Sequence, residues 1–412
     1  MRKDYKKIKE CRICGCTDLV TYLDLDNLPL VNRLLDKSQI AYEKKYPLNI
    51  LFCQDCNLSQ LSIVVDPEIL YKNYVYRSSM ADSFKKHCSN LADELNKDML
   101  RDGELIIDIA SNDGCLLRPF KDRNNRVLGI DPATNLAGIA TKTGIETISE
   151  FWDQNLAKKV LHSYGKAKVI TAFNVFAHIH DVHSFLEAVM TLLDDDGCFI
   201  IEVPYLYNLI EKTEFDTVYH EHLSYFLIKP LDRLIRQHGL ILAKVKEFDI
   251  HGGSIRLYVG KKNSSNASDG TTQEILEKEK RVGLHDVGPY ISLRRQVKGL
   301  KNNMVAILKE LKSFGKSISG FGASAKGNVL LNYSNIGLDL IDCIFDDTPE
   351  KQGKIYPGVH IPIVSRDMLS KINPDYLLLL SWNFADEMMR KTRDFKEKGG
   401  KYIIPVPYLR IK

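Results

Sequence analysis

The chain has 412 residues, 44% of them hydrophobic and 27% charged, a composition typical of globular proteins and a length sufficient for two or three domains. Lysine and arginine number 57 against 53 aspartates and glutamates, so charge gives no reason to expect a nucleic-acid partner. The N-terminus lacks the apolar segment of a signal peptide and the apolar runs are too short to cross a bilayer, so we expect a cytoplasmic protein with no membrane partner.

Paired cysteines mark the N-terminal region. Four of its five cysteines form two CxxC pairs, Cys11 with Cys14 and Cys53 with Cys56. In a reducing compartment such pairs are typical of metal ligands rather than disulfides. Four thiolates complete the closed tetrahedral shell of structural zinc, whereas catalytic zinc needs an open position. We expect Cys16 to take no part, and the intervening LDLDNLPLVNRLL predicts a strand, a proline turn and a short helix.

A nucleotide-binding α/β pattern begins near Glu104. ELIIDIASNDGCLL is an apolar strand followed by a loop of small and polar residues, and RVLGIDPA is a second strand that ends in aspartate. In α/β nucleotide folds such an aspartate binds the ribose of an adenosine. The loop is acidic and is not GxGxxG, which favours an adenosyl ligand with a positive charge over a pyrophosphate. The predicted cofactor-binding residues are Asp108, Ala110, Asn112, Asp113, Gly114, Asp131 and Asn174.

Two further strands extend this sheet. KVITAFNVFAHIHD predicts a fourth strand that ends near Asn174 and His178, and DDDGCFIIEVPY predicts a fifth. The acidic first loop, the acidic end of the second strand and the asparagine at the end of the fourth resemble the class I S-adenosylmethionine methyltransferases. Each residue alone is equally compatible with a turn or a helix cap, and only their order favours the cofactor interpretation.

The stretch DTVYHEHLSYF, from Asp216 to Phe226, concentrates polar chemistry. We expect it to be extended, so that His220 and His222 share one face and Glu221 points away. That geometry and the absence of HExxH spacing disfavour a metal site, although the histidines of AHIHDVH leave this alternative open. Tyr225 and the phenylalanine after it are expected to be core residues.

A short glycine loop follows, and then a second α/β unit. HGGS, which begins at His251, lies between the strands LILAKVKEFDI and GSIRLYV, where it indicates a tight hairpin or a close approach to a ligand. Helical spacing dominates from about Thr272 to Phe314. Beyond it, KSISGFGASAKGNVLLNY reads as strand, glycine loop and helix, and LIDCIFDDTP, YLLLLSW and YIIPVP as further strands.

The glycine loop of this second unit supports a rival function. Gly320, Gly322 and Ala325 match the dinucleotide-binding fingerprint, and Asp346 lies 24 residues after Gly322. The alternative is therefore an NAD-dependent nucleotide-sugar oxidoreductase that uses the GFGASA loop. The helix start also suits any phosphate, because its serine and lysine add to the backbone N–H groups there. A third hypothesis, a zinc-dependent interaction module with degenerate enzyme domains, predicts missing catalytic polar residues, and these are present.

The motifs together resemble those of the sugar C-methyltransferases, which methylate C-3 of nucleotide-linked 4-keto-6-deoxy sugars. The CxxC pairs, IASNDG, NVFAH, YHEHLSYF, HGGSIR, GFGASAKGNVLLNY and DDTPEKQGKIYPGVHIPI occur in the same order over almost the full chain. Ala110 departs from the family, since many relatives have glycine there, and should tighten the cofactor loop. The resemblance implies an α/β fold with a zinc-binding domain at 1–75, a class I methyltransferase (Rossmann-like) domain at 76–290 and a second Rossmann-like domain at 291–412.

The resemblance also implies residue roles. The positions that line the reacting sugar are Tyr76, His178, Tyr219, Glu221 and His222. We predict that His222 removes the C-3 proton, with Tyr219 and His178 as alternative bases, that Glu221 orients a sugar hydroxyl or the histidine, and that Tyr76 and His178 hold the enolate. The expected substrate-binding residues are His220, His251, Ser254, Arg256, Ser324, Lys326 and Asn328.

The expected cofactors are S-adenosylmethionine and structural zinc, and the expected partner is a nucleotide-diphosphate sugar. The sequence leaves open whether the nucleotide is dTDP, GDP or CDP, whether C-3 carries an amino or a hydroxyl group, and the product stereochemistry. The oligomeric state is also open, and three packed domains are sufficient for a monomer.

Overall fold

The structure, a computed structural model, describes residues 4–71, 77–250, 252–262 and 269–412. The predicted catalytic Tyr76 and the predicted substrate residue His251 lie outside these ranges. The described chain is built on a four-stranded, a seven-stranded and a six-stranded sheet, with an additional two-stranded ribbon. One buried apolar cluster includes residues of all three large sheets. No helix among the described residues has the length and apolar character that crossing a membrane requires.

The N-terminal unit is antiparallel. Its strands β1–β5 are Tyr5–Lys7, Leu19–Pro29, Lys45–Cys53, Ser59–Leu61 and Ile63–Val65, and its helix α1 is Pro67–Tyr71. β2, β3 and β4 pair in that order and β1 pairs with β5. The short helix predicted in LVNRLL is wrong, because the only helical turn between β2 and β3 is the 3₁₀ turn Lys37–Tyr42. Leu35 instead exchanges two backbone hydrogen bonds with Ile355 of the C-terminal unit, of 3.0 and 2.8 Å, which hold the segment extended.

The central unit is doubly wound. Helices α2–α10 are Asp82–Asp98, Arg118–Lys121, Thr134–Lys142, Gln154–Tyr164, Val182–Leu192, Leu206–Glu211, Ile228–Gln237, Thr271–Arg281 and Gly288–Ser313. Strands β6–β13 are Leu105–Ile109, Arg126–Ile130, Thr147–Ile148, Ala167–Phe173, Leu193–Pro204, Ser224–Tyr225, Leu240–Phe248 and Ser254–Lys261. The seven-stranded sheet has the order β12-β13-β10-β9-β6-β7-β8. β13 is antiparallel to both of its neighbours, and the other six strands point in the same direction. The remaining strand, β11, extends the N-terminal sheet by pairing with β4.

The parallel part of this sheet positions the predicted cofactor residues. Every residue of β6 is buried, as expected for a central strand covered on both faces. β6, β7 and β9 are parallel neighbours, so their carboxyl ends meet at one edge of the sheet. Ligands of open α/β sheets bind at that edge. The loops that follow Asp108, Asp131 and Asn174 therefore lie together there.

The C-terminal unit is a second open α/β sheet. Strands β14–β19 are Ile318–Phe321, Ile344–Asp346, Ile363–Ser365, Tyr376–Leu379, Lys401–Ile404 and Arg410–Ile411, and helices α11–α14 are Ala325–Ser334, Leu369–Ile372, Ala385–Lys391 and Arg393–Glu397. The strand order is β16-β15-β14-β17-β18-β19, parallel except for β19. The predicted fold class, α/β with two Rossmann-like units after a cysteine-bearing N-terminal unit, is confirmed.

Candidate active site

Four cysteine sulfurs converge in the N-terminal unit. The Sγ atoms of Cys11, Cys14, Cys53 and Cys56 all lie within 4.8 Å of one another, with Cys11–Cys56 at 3.4 Å and Cys14–Cys53 at 3.5 Å. Tetrahedral zinc, with Zn–S bonds of about 2.3 Å, needs sulfurs about 3.8 Å apart, so the cluster fits the ion with little movement. Cys16 stands apart, and its sulfur accepts the Asp18 N–H. Among the described residues this is the only group of three or more potential ligands close enough to share a metal.

Carboxylates organise the predicted cofactor loop. The Asp131 oxygens accept the N–H groups of Asn112 and Ala133, each at 2.8 Å. Asp108 accepts a 2.6 Å hydrogen bond from the Thr171 hydroxyl. Burial raises the pKa of Asp108 to about 7, and the charge of Asp131 acts in the same direction. The loop therefore concentrates carboxyl groups at the ends of neighbouring strands.

The loop backbone requires left-handed conformations. Ala110, Asn112 and Gly114 have φ angles of 61°, 53° and 79°. Asparagine and glycine tolerate this region, whereas alanine is strained there by about 1–2 kcal/mol. A Cβ at Gly114 would approach the side chain of Ile145 to 3.0 Å. Asn174, at the end of β9, also has a positive φ of 55°, and its N–H donates to the Glu202 carbonyl.

The residues of this loop fit an adenosyl ligand that carries a positive charge. Asp113 is buried, and within the described part of the chain its Oδ1 has no hydrogen-bond partner. Its other oxygen accepts a 2.5 Å hydrogen bond from the Ser79 hydroxyl, and the Ser78 N–H donates to Asn112 Oδ1 at 3.0 Å. The two serines, part of NYVYRSS, were not among the predicted cofactor residues. A serine pair directly after a cluster of tyrosines was the available signal.

The YHEH segment lies in a turn, so the expectation of an extended strand is wrong. His220 and Glu221 occupy the turn, and the His222 N–H donates to the Tyr219 carbonyl at 2.9 Å. His220, predicted to bind substrate, lies against the N-terminal sheet, where its Nε2 donates to the Tyr46 carbonyl at 3.2 Å. Burial lowers the pKa of His220 to about 4, so the imidazole is neutral near pH 7.

A cluster of rings surrounds His222. The Tyr219 ring centroid lies 4.0 Å from that of His222, and the His178 ring lies 5.1 Å from it. Tyr71 stacks on His178 with an interplanar angle of 20° and a centroid distance of 5.8 Å. Three of the five residues predicted to line the reacting sugar are thus brought together. Tyr71 was not predicted, and its signal was the tyrosine-rich stretch YKNYVY.

The protonation of these histidines follows from their surroundings. His222 Nδ1 lies 2.9 Å from the Thr217 carbonyl oxygen, which can only accept, so Nδ1 carries the proton. In the neutral imidazole the lone pair is consequently on Nε2. Burial lowers the pKa of His178 to about 4, which keeps this ring neutral at physiological pH. His222 therefore has the tautomer of a general base, and His178 adds no positive charge beside it.

Glu221 is oriented by the N-terminal unit. Its Oε1 accepts a 2.7 Å hydrogen bond from Asn32 Nδ2, and its backbone carbonyl accepts one of 3.3 Å from the Tyr71 hydroxyl. Glu221 is 2% exposed. Asn32 was missed because it lies 189 residues from Glu221 and PLVNRLL reads as an ordinary apolar turn.

Two predicted substrate residues lie in the central sheet rather than in the ring cluster. The Ser254 hydroxyl donates to the Ile250 carbonyl at 3.1 Å within the hairpin. Arg256 is 2% exposed, forms a 2.8 Å ion pair with buried Glu202 and lies 4.3 Å from the ring centroid of Phe248. The hairpin interpretation of HGGS matches this geometry, since the loop connects β12 and β13.

The glycine loop of the C-terminal unit begins α11. Ser324 caps this helix by accepting the Gly327 N–H at 3.1 Å, and Asn328 donates to the Pro357 carbonyl at 3.0 Å. Lys326 Nζ lies 4.6 Å above the Trp382 ring. Asp346, the expected ribose ligand of the oxidoreductase alternative, accepts the Ala323 N–H at 2.7 Å.

The chain is 35% identical to the C-methyltransferase NovU of Streptomyces niveus over its whole length, and the match covers 98% of that protein. Three family models match in succession: a zinc binding domain at residues 11–71, a methyltransferase domain at 79–245 and a C-methyltransferase C-terminal domain at 249–407. These matches do not favour the oxidoreductase alternative.

Two solved structures illustrate more remote likenesses. Magnesium protoporphyrin IX methyltransferase from Synechocystis PCC 6803, with bound S-adenosylmethionine, is 14% identical over 43% of this chain and 79% of its own, with a TM-score of 0.34. An S-adenosylmethionine-dependent methyltransferase from Clostridium acetobutylicum ATCC 824 is 13% identical. The match covers 44% of this chain and 93% of that protein, also with a TM-score of 0.34. At such scores the family assignment rests on sequence. The full-length relationship to NovU and the three consecutive domain matches show that the chain belongs to the C-methyltransferase family and is an S-adenosylmethionine-dependent methyltransferase.

Proposed function

We propose that the enzyme methylates C-3 of a nucleotide-linked 4-keto-6-deoxy sugar through an enolate. The observation that carries the proposal is the tautomer of His222, whose Nδ1–H is held by the Thr217 carbonyl. A carbon acid needs a base that is unprotonated near pH 7, and a 4-keto group makes the adjacent C-3 hydrogen acidic enough for histidine to remove. The membership in the C-methyltransferase family supplies the reaction type.

His222 Nε2 takes the C-3 proton in this scheme. The resulting imidazolium keeps its Nδ1–H bond to the Thr217 carbonyl, which stabilises the charged form. The negative charge moves to the C-4 oxygen of the sugar. Tyr219, 4.0 Å from His222 between ring centroids, and His178, at 5.1 Å, donate hydrogen bonds to that oxygen in this scheme.

Bound S-adenosylmethionine supplies an electrophilic methyl group on a positively charged sulfur. The acidic loop that includes Asp113 and Asp131 stabilises that charge, and Asn174 lies at the neighbouring strand end. Glu221, fixed by Asn32, orients a hydroxyl or amino substituent of the sugar. The N-terminus of α11, a helix of ten residues, binds the diphosphate through Ser324 and Lys326.

Exchange of the C-3 hydrogen with D₂O tests this function without the methyl transfer. The enzyme is saturated with S-adenosylhomocysteine and incubated in D₂O with dTDP-, GDP- and CDP-linked 4-keto-6-deoxy sugars. We expect exchange with at least one of them, and a loss of about 100-fold or more in His222→Asn. His162 is an exposed histidine in α5, and His162→Asn is the matched control. Undiminished exchange in His222→Asn would refute the assigned base, and failure of all three sugars to exchange would refute the substrate class.

A further inference from the structure

The turn that precedes YHEH holds the catalytic histidine. Residues Phe215–Thr217 form a 3₁₀ helix, closed by the Val218 N–H on the Phe215 carbonyl at 3.0 Å. The Thr217 hydroxyl secures the turn by donating to the Glu214 carbonyl at 2.7 Å. The Thr217 carbonyl then accepts the Nδ1–H of His222. The position of this turn therefore determines the orientation and the tautomer of the His222 imidazole.

The C-terminal unit determines where the turn lies. Asp216, in the middle of the turn, is fully buried, and its Oδ2 accepts a 2.6 Å hydrogen bond from Trp382 Nε1. Its other oxygen, Oδ1, is buried and has no hydrogen-bond partner among the residues that the structure describes. Phe215 packs edge-on against Tyr333 of α11, with ring centroids 5.6 Å apart. A buried carboxylate with one unpaired oxygen is costly, so the indole N–H is a strong constraint on the turn.

The same indole also contacts the proposed phosphate-binding loop. Lys326 Nζ lies over the Trp382 ring, and its charge lowers the pKa values of Glu214 and Asp216, although burial keeps both above their ordinary values. Trp382 is 8% exposed, with the lysine over its ring face and the Asp216 carboxylate at its N–H edge. One side chain of the C-terminal unit therefore connects the α11 N-terminus with the turn before YHEH.

We infer that Asp216 and Trp382 are positioning residues for the general base. The contacts run from the indole N–H to the Asp216 carboxylate, along one peptide unit to the Thr217 carbonyl, and on to Nδ1 of His222. The C-terminal unit thereby contributes to proton abstraction as well as to nucleotide binding. This inference rests on the proposed function for the identity of the base, but its prediction for the His222 tautomer does not depend on the substrate.

Trp382→Phe is the direct test. It keeps an aromatic ring at this position and removes the N–H donor together with the pyrrole ring of the indole. Trp152→Phe is the control, because the sequence has two tryptophans and the other indole donates to the Phe185 carbonyl, at 3.3 Å, outside the turn. We expect kcat of C-3 exchange to fall about 10-fold to 100-fold in Trp382→Phe, the range for a hydrogen bond to a charged group, with KM and S-adenosylhomocysteine affinity nearly unchanged.

Two readouts separate positioning from general destabilisation. Weakening the Nδ1–H contact destabilises the imidazolium, so the acidic limb of the pH profile of exchange, where the base becomes protonated, should move to lower pH in Trp382→Phe. In ¹⁵N-imidazole-labelled protein the His222 resonance, identified by its loss in His222→Asn, should report Nδ1–H in the wild type and in Trp152→Phe, and a mixture of tautomers in Trp382→Phe. An unchanged tautomer and an unchanged pH profile in Trp382→Phe would overturn the inference, whatever the rate.

Asp216 variants test the same contact from the other side. Asp216→Ala removes the acceptor, whereas the amide oxygen of Asp216→Asn still accepts from the indole. We expect the alanine variant to reproduce the tautomer mixture and the asparagine variant to retain the Nδ1–H form, and the reverse order would contradict the inference. This pair also serves if Trp382→Phe does not fold. Loss of exchange in His222→Asn tests the base independently, so a failure of the proposed function is distinguishable from a failure of the positioning role.

Discussion

Ala110→Gly should stabilise the protein, although alanine to glycine substitutions usually destabilise. Ala110 has a φ of 61°, and left-handed backbone costs an alanine about 1–2 kcal/mol that glycine does not incur. Glycine gives the unfolded chain more entropy, which offsets about 0.4–1 kcal/mol of this gain. The difference predicts an increase of up to about 1.6 kcal/mol in the free energy of unfolding.

Urea unfolding of the wild type, Ala110→Gly and Ala306→Gly measures this effect against a matched control. Ala306 is exposed within the long helix α10, where the same substitution should destabilise by about 1 kcal/mol. The changes in the free energy of unfolding of the two variants should therefore have opposite signs. Titration with S-adenosylhomocysteine should show weaker binding in Ala110→Gly, because the glycine loop is less rigid. Destabilisation of Ala110→Gly to the extent seen in Ala306→Gly would refute the left-handed strain.

Asn32→Ala removes the amide that holds Glu221, so it should lower kcat of C-3 exchange about 10-fold or more without changing S-adenosylhomocysteine binding. An unchanged exchange rate would show that Asn32 is not part of the site. Zinc chelation should abolish exchange while S-adenosylhomocysteine still binds, because the metal stabilises the N-terminal unit that carries Asn32. Exchange activity that survives verified metal loss would contradict this prediction. Burial raises the pKa of Asp108 from 3.8 to about 7, so the folded protein retains a proton that the unfolded chain loses, and stability should fall as pH rises between these values. The stability of Asp108→Asn relative to the wild type should therefore rise between about pH 4 and pH 7 in urea unfolding, and parallel pH curves for the two proteins would refute the shift.

Local signals were sufficient where the structure depends on neighbouring residues in the sequence. The apolar run of β6 predicted a strand, because that pattern is satisfied within a few residues of chain. Each CxxC pair is likewise a local signal, and the two pairs together predicted the metal cluster although they are far apart in the sequence. The acidic loop was likewise predicted from the order of strand, loop and strand. The backbone strain of this loop was not predicted, because the sequence does not specify which residue has a positive φ.

Long-range contacts explain what the sequence missed. Asn32 meets Glu221 across 189 residues and Trp382 meets Asp216 across 166, and no local pattern links either pair. The predicted helix in LVNRLL is absent because Leu35 pairs with the distant Ile355. The YHEH segment was predicted as a strand, but it forms a turn between units, where tertiary contacts override its alternation.

The convergence of three units on one turn has a kinetic consequence. The N-terminal unit fixes Glu221 through Asn32, and the C-terminal unit fixes the turn before His222 through Trp382. The predicted cofactor loop, by contrast, is formed within the central unit, where Asp131 accepts the Asn112 N–H. Because a misplacement of about 1 Å can reduce a rate about 100-fold, small shifts of either flanking unit should impair proton abstraction before cofactor binding. Substitutions at the two interfaces should therefore reduce C-3 exchange while leaving S-adenosylhomocysteine affinity intact, whereas substitutions in the loop should reduce both.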